Sequence, residues 1–131
     1  MSGLRIDSVL PLQPAANNKV KIMSQLDHAK LLTLNCDDLP WKTSTFAKGL
    51  SVKDVAVTGG LEMQLVRFEP GTRLPRHEHE LPEFIYVLEG ELSVAGQRLG
   101  RGWASVASPG SVHTDVHSDT GCIFVLVDRP L

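Results

Sequence analysis

The stretch that decides the fold reads Gly71-Thr-Arg-Leu-Pro-Arg-His77-Glu-His79-Glu-Leu-Pro-Glu83-Phe-Ile-Tyr-Val-Leu-Glu-Gly90. In an extended chain, successive side chains point to opposite faces. His77, His79 and Glu83 are separated by two and four residues, so all three can project from one face, with Glu78 and Glu80 on the other. Pro75 and Pro82 stand where strands begin or bend, which fits a sheet edge or a barrel corner. Neutral imidazole binds zinc, iron, nickel, copper and manganese, and a carboxylate adds charge neutralisation. A His-x-His pair by itself also suits a solvated surface; the in-phase Glu83 is what turns the pattern toward a metal site. Three ligands from one segment leave the site open for a fourth. His113, in Gly110-Ser111-Val112-His113, is the candidate from a distant strand.

If Glu83 faces inward, Ile85 and Val87 do too, forming an apolar pocket wall beside the metal. Phe84, Tyr86 and Leu88 then face the other way and need cover.

Working outward, short β-rich runs alternate with glycine and proline punctuation. Strands are expected over 52–57, 61–69, 83–88, 91–95, 103–107 and 122–128. Between them lie Thr58-Gly59-Gly60, Pro70-Gly71, Glu89-Gly90, Ala95-Gly96-Gln97, Pro109-Gly110 and Thr120-Gly121. No helix-period pattern of useful length follows residue 50. Many short strands at this spacing point to an all-β sandwich or barrel rather than a βαβ fold. Residues 123–127 are apolar at every position, so both faces of that strand need cover. A second sheet, the N-terminal arm or a partner subunit would supply it, and a homodimer is expected on this ground. Residues 1–40 read as an irregular arm or extension, with short strands at 4–10 and 19–23. Ser24 caps a short helix running to about residue 32, although 29–34 suits a strand equally well. The barrel domain is set at 41–131.

Composition agrees with one domain: 131 residues, 42% hydrophobic and 21% charged, are ordinary for a globular protein. A net charge of -2 with no long run of one sign gives no electrostatic reason to expect nucleic-acid or membrane partners. Arg5 and Asp7 interrupt the apolar residues at the N-terminus, which argues against a signal peptide. No stretch approaches the roughly 18 apolar residues of a membrane helix. The expected location is cytoplasmic. Cys36 and Cys122 therefore read as reduced thiols rather than a disulfide.

The sequence resembles the cupin family in two motifs. The first is a glycine, five residues, His-x-His, three or four residues, Glu, six residues and a glycine. Gly71, His77, His79, Glu83 and Gly90 fill every place. The second is a glycine, five residues, proline, one residue, glycine, two residues, histidine, three residues and asparagine. Gly102, Gly110 and His113 match; Ser108 stands in the proline place, with Pro109 one residue later, and His117 stands in the asparagine place. Within the family the chain is similar to ChrR-like cupin domains, through Arg67-Phe-Glu-Pro-Gly71 and the residues up to Leu92, Ser108-Pro-Gly-Ser-Val-His113, and Ser118-Asp-Thr-Gly-Cys122. The resemblance implies a double-sheet jelly-roll barrel over roughly 40–128 and His77, His79, Glu83 and His113 as ligands of one divalent metal ion, iron, zinc, manganese or nickel. It also implies a small-molecule substrate or ligand. ChrR itself carries an N-terminal helical anti-sigma domain with its own His/Cys zinc motif. Residues 1–40 here hold only His28 and Cys36, so the likeness covers the barrel and not the anti-sigma activity.

His117 is four residues after His113. In a regular strand it is in phase with it and could line the barrel mouth as an acid/base group. If the strand ends early, it sits in the polar Ser118-Asp119-Thr120 turn, the preferred reading because loops are solvated by default. Gln64 and Arg67 lie on opposite faces of one strand, so at most one of them faces the pocket. Arg67 there would hold a substrate carboxylate as a bidentate partner; otherwise it is a surface charge. His28 reads as solvated, and Trp41 and Trp103 as packing residues. Two functions follow from the resemblance. One is a metalloenzyme, such as an iron(II) dioxygenase acting on a small enolisable or phenolic substrate. The other is a small-molecule or metal-dependent sensor module that works through a separate partner protein.

Overall fold

The computed structural model describes residues 31–78, 82–113 and 115–129, leaving aside the side chains of residues 77, 78 and 113. The strands expected at 4–10 and 19–23, and nearly all of the helix after Ser24, lie outside these residues; residues 31–35 have irregular backbone. The described chain opens with a short 3-10 helix, Cys36–Asp38. Asn35 caps it, its side-chain oxygen accepting from the Asp37 amide at 2.9 Å.

Twelve strands follow: β1 Lys42–Thr43, β2 Leu50–Thr58, β3 Leu61–Phe68, β4 Thr72–Arg73, β5 His77–Glu78, β6 Glu83–Gly90, β7 Leu92–Val94, β8 Gln97–Leu99, β9 Ala104–Ala107, β10 Val112–His113, β11 Val116–Ser118 and β12 Cys122–Asp128. The six long runs seen in the sequence become β2, β3, β6, β7, β9 and β12. The six remaining strands have two or three residues each, too short to show an alternation in sequence.

All pairings are antiparallel. One sheet has the order β1-β2-β3-β12-β6-β9; facing it are the sheet β4-β11-β7-β8 and the pair β5-β10. This is the all-β double-sheet jelly roll that the resemblance implied. Alternation fixes which residues fill it. On β12, Cys122, Phe124, Leu126 and Asp128 are buried while Ile123, Val125 and Val127 are half-buried on the outer side. On β3, Glu62, Gln64, Val66 and Phe68 point inward. Phe68 and Phe124 meet edge-to-face at 5.4 Å and 72°, a preferred aromatic geometry. Leu50, Val52, Val87, Leu92, Val94 and Val116 complete the core around them.

Two turns show why the sequence closes the barrel where it does. Ala95 and Gly96, at φ 49° and 81°, join β7 to β8. Positive φ at both central residues is the conformation whose twist matches flanking antiparallel strands. Gly90 ends β6 at φ 73°, where a Cβ would stand 2.1 Å from the Gly121 carbonyl oxygen and 2.8 Å from Cys122 Cα. The last glycine of the first motif is thus a point of backbone contact between β6 and the start of β12.

Candidate metal centre

Glu83 is the first residue of β6 and is 1% exposed. Ile85 and Val87, at 4% and 0%, share its inward face, while Phe84, Tyr86 and Leu88 are exposed on the outer one. The expected division of this strand into an inward and an outward face is therefore what the barrel has. A charged carboxylate buried this deeply is costly unless a cation or hydrogen-bond donors accompany it.

The histidines come from the facing side. His113 on β10 stands directly opposite His77 on β5. The same register continues into the neighbouring sheet, where Leu74 donates its amide to the Val116 carbonyl at 2.9 Å and Arg73 stands opposite His117. Residues 74–76 carry no strand assignment. Pro75 has no amide hydrogen for the ladder, which accounts for the break between β4 and β5. His79 lies outside the described residues.

The barrel interior is layered from one end to the other. Beyond the pair of Val127 and Phe84, the next residues of the two strands are Asp128 and Glu83, and Asp128 is paired with Glu62 on β3. Glu62 and Asp128 are 1% and 2% exposed. One layer further in come Ile85, Leu126 and Gln64, with Gln64 paired to Asp54. Gln64 Nε2 donates to Asp54 Oδ1 at 3.0 Å, and Lys42 Nζ forms an ion pair with Asp54 Oδ2. Deeper still, the lining is Val87, Phe124, Val66 and Val52. Glu83 thus stands at a polar end of an otherwise apolar barrel. Glu62, Asp54 and Asp128 were missed by the sequence reading. The signal available for Glu62 and Asp128 was phase, since each sits in step with the buried residues of its own strand.

Two further residues, each open to two readings in the sequence, are placed by the barrel. Arg67 does not reach the pocket. It lies on the outer face of β3, its guanidinium 4.4 Å from the Trp41 ring and its Nε 3.5 Å from Glu69 Oε2; alternation gives the inward place on that strand to Gln64. His117 is neither at the barrel mouth nor in a turn. It belongs to β11, where its neighbours Val116 and Ser118 take the inward places. Its own side chain is 16% exposed on the outer side of the sheet, opposite Arg73 and Ser93. There His117 Nδ1 lies 2.8 Å from Asp115 Oδ1, which also accepts from Arg73. The hydrogen bond with His117 is the main cause holding the Asp115 carboxyl below its ordinary range.

Both cysteines are free. Burial pushes the Cys122 thiol up to about 11. At that far end of the barrel two open grooves of about 580 and 310 Å³ lie on the surface, the first lined by Lys48, Gly49 and residues 69–73. Among the described residues, no helix is long and apolar enough to cross a membrane.

Comparison with known proteins agrees with the fold. No curated protein sequence matches the chain. Among solved structures, the polyketide cyclase RemF from Streptomyces resistomycificus superimposes with a TM-score of 0.70 at 20% identity, over 77% of this chain and 80% of that one. KdgF from Halomonas sp. gives 0.66 at 24% identity, over 77% and 94%. An acetylacetone dioxygenase from Acinetobacter johnsonii gives 0.64 at 12% identity, over 76% and 72%. At these identities the likeness is one of fold. The family model for the ChrR cupin-like domain matches residues 29–131, and so the chain belongs to the ChrR cupin-like domain family.

Proposed function

We propose that the barrel holds one divalent metal ion through His77, His79, Glu83 and His113 and acts with it on a small molecule. The observation that carries this reading is the placement of Glu83, buried at the polar end of the interior, together with the register that sets His77 opposite His113. Directly opposed residues of an antiparallel pair share a face, so two imidazoles at these positions can reach one ion. Imidazole nitrogens and a carboxylate suit iron, zinc, manganese or nickel.

An open three-histidine, one-carboxylate site supplies Lewis-acid activation of a substrate oxygen and, with iron(II), redox chemistry. The chain's own residues supply the rest. Ile85, Val87 and Leu126 form an apolar wall that limits water. Gln64 is oriented by its bond to Asp54, which Lys42 anchors in turn, so a polar group is fixed one layer below Glu83. This combination suits a small, mostly apolar molecule with one or two oxygens, such as an enolisable or phenolic compound. We take the reaction to be oxidative cleavage by an iron(II) dioxygenase. The fold likeness to an acetylacetone dioxygenase supports that choice. The protein is taken to work in the cytoplasm and as a homodimer, whose pairing face is distinct from the barrel end that holds the metal. Residues 1–40 are taken as an extension to the barrel at 41–131.

A second reading is favoured by the family match itself: a ChrR-like module that senses a small molecule or metal and signals through a separate protein. Metal analysis of the purified chain, followed by reconstitution with iron(II) and measurement of dioxygen uptake with a β-diketone or hydroxyaryl ketone, tests both. Uptake supports the enzyme. Bound metal without turnover, together with ligand-dependent binding to a partner, supports the sensor. No bound metal and none taken up on reconstitution overturns the metal site and with it the enzyme.

A further inference from the structure

One layer further in than Glu83, the inward row of the six-stranded sheet runs Ser105, Ile85, Leu126, Gln64 and Asp54 across β9, β6, β12, β3 and β2. Its middle is apolar and its two ends are polar. Ser105 stands on the edge strand and is half-buried, whereas Gln64 and Asp54 are buried. Gln64 Nε2 donates to Asp54 Oδ1 at 3.0 Å, and the other carboxylate oxygen, Oδ2, is ion-paired with Lys42 Nζ. Lys42 comes from β1, where it stands opposite the core residue Val52. Three adjacent strands each contribute one member to this row of contacts.

The row fixes which way the Gln64 amide faces. A carboxylate accepts hydrogen bonds and cannot donate them, so the amide nitrogen, not the amide oxygen, must lie on the Asp54 side. The two branches of the amide diverge. With Nε2 held toward β2, Oε1 is turned toward the side of Leu126 and Ile85. A carbonyl oxygen has two lone pairs and no proton. The direction of the amide therefore presents an acceptor to the apolar part of the row, and never a donor.

We infer that Gln64 Oε1 selects ligands that bring a hydroxyl to it, about 7 Å further in than the atom held at the metal. This deepens the reading of the barrel interior as the ligand site and rests on it. The distance is the step of two residues along a strand, from Glu83 to Ile85. A β-diketone carrying a para-hydroxyphenyl group suits that step. Its diketone end lies at Glu83, its ring lies over Ile85 and Leu126, and its phenol proton goes to Gln64. The methyl ether of the same compound brings lone pairs and no proton, so two acceptors meet. A site built to hydrogen-bond a ligand hydroxyl discriminates strongly against analogues that cannot make the bond.

Calorimetry on the zinc-loaded full chain tests the inference, after zinc uptake has been measured. The wild type should bind the para-hydroxyphenyl β-diketone about tenfold or more tighter than its methyl ether, equivalent to about 1.4 kcal/mol. Gln64→Leu should bind zinc as before and lose most of that preference. Asp54→Asn is the sharper variant. Asn offers both a donor and an acceptor, so the Gln64 amide can turn over and donate to the ether; the gap should narrow at least threefold. A wild type that binds the two compounds equally, or neither, overturns the inference while leaving the metal site standing. A gap undiminished in Asp54→Asn also overturns it, because exclusion of the extra methyl then explains the preference. No zinc uptake overturns the metal site and this inference together. If Asp54→Asn does not fold, the unsubstituted phenyl analogue takes its place. It is smaller than either compound, so binding about tenfold weaker than the phenol supports the inference and equal binding overturns it.

Discussion

His77 stands directly opposite His113 across the β5-β10 ladder, which brings together two residues separated by 36 positions in the chain. With Glu83 buried at the barrel's polar end, the metal proposed above would tie β6 to the facing sheet. Removing a ligand should therefore cost more affinity than the roughly 10–100-fold that loss of an outer-shell partner costs. His77→Ala, His113→Ala and Glu83→Ala are each expected to lose more affinity than that in titrations with zinc or nickel. Metal at about a hundred times its dissociation constant should add about 2.7 kcal/mol of stability, seen as a higher melting temperature that chelation reverses. Unchanged affinity in any one variant removes that residue from the ligand set.

Two turn glycines differ in what they tolerate. At Gly90 an added methyl meets the Gly121 carbonyl oxygen at 2.1 Å, and that oxygen belongs to backbone that cannot swing aside. At Gly96, whose φ is 81°, an added methyl meets nothing within 4 Å. Gly96→Ala should therefore cost only the left-handed backbone penalty, about 1–2 kcal/mol. Gly90→Ala adds overpacking of about 1–3 kcal/mol to the same penalty. Urea unfolding of the two variants side by side checks the order, and equal losses would show that the β6-β12 junction relaxes freely.

Cys36 and Cys122 differ in burial, and their reactivity should follow. Burial holds the Cys122 thiol up at about 11 against an ordinary 9.0. The thiolate is the nucleophile, so Cys122 should stay unmodified by iodoacetamide at pH 8 while Cys36, which is partly exposed, is alkylated. The sign of the stability effect follows from the raised value. The folded state favours the neutral thiol, so its contribution is complete below pH 9 and fades as pH rises toward 11. Peptide mapping after alkylation, with and without denaturant, measures the first effect; melting temperatures of wild type and Cys122→Ala across that pH window measure the second.

Much of the barrel was legible because its long strands carry their own period. The face that unites Glu83, Ile85 and Val87 could be read from alternation alone, as could the apolar run at 123–127. The two-residue strands could not, since β4, β5 and β10 show no period and are defined by their partners. His117 escaped for a related reason. Its phase relative to His113 assumes one regular strand, but Asp115 is not in a strand, and β11 restarts with Val116 inward. The acidic end of the interior escaped because Glu62 and Asp128 look like strand-terminal surface charges until the strands around them are closed into a barrel.

The last prediction separates Gln64 from Arg67 on β3. Gln64 is 1% exposed and hydrogen-bonded to Asp54 inside the barrel, whereas Arg67 is stacked on Trp41 outside it. If the pocket orients its ligand with Gln64, then Gln64→Leu should leave the metal titration unchanged and raise the KM for a β-diketone in the iron-loaded protein. It should also cost about 1–3 kcal/mol of stability by stripping a buried partner from Asp54. Arg67→Ala should do the reverse: no change in KM, and a loss of about 0.5–1 kcal/mol from the broken cation–π contact with Trp41. Steady-state kinetics and denaturant unfolding on the two variants give a two-by-two outcome. A raised KM for Arg67→Ala with none for Gln64→Leu would place the ligand on the outer face of the sheet and undo the assignment of the barrel interior as the binding site.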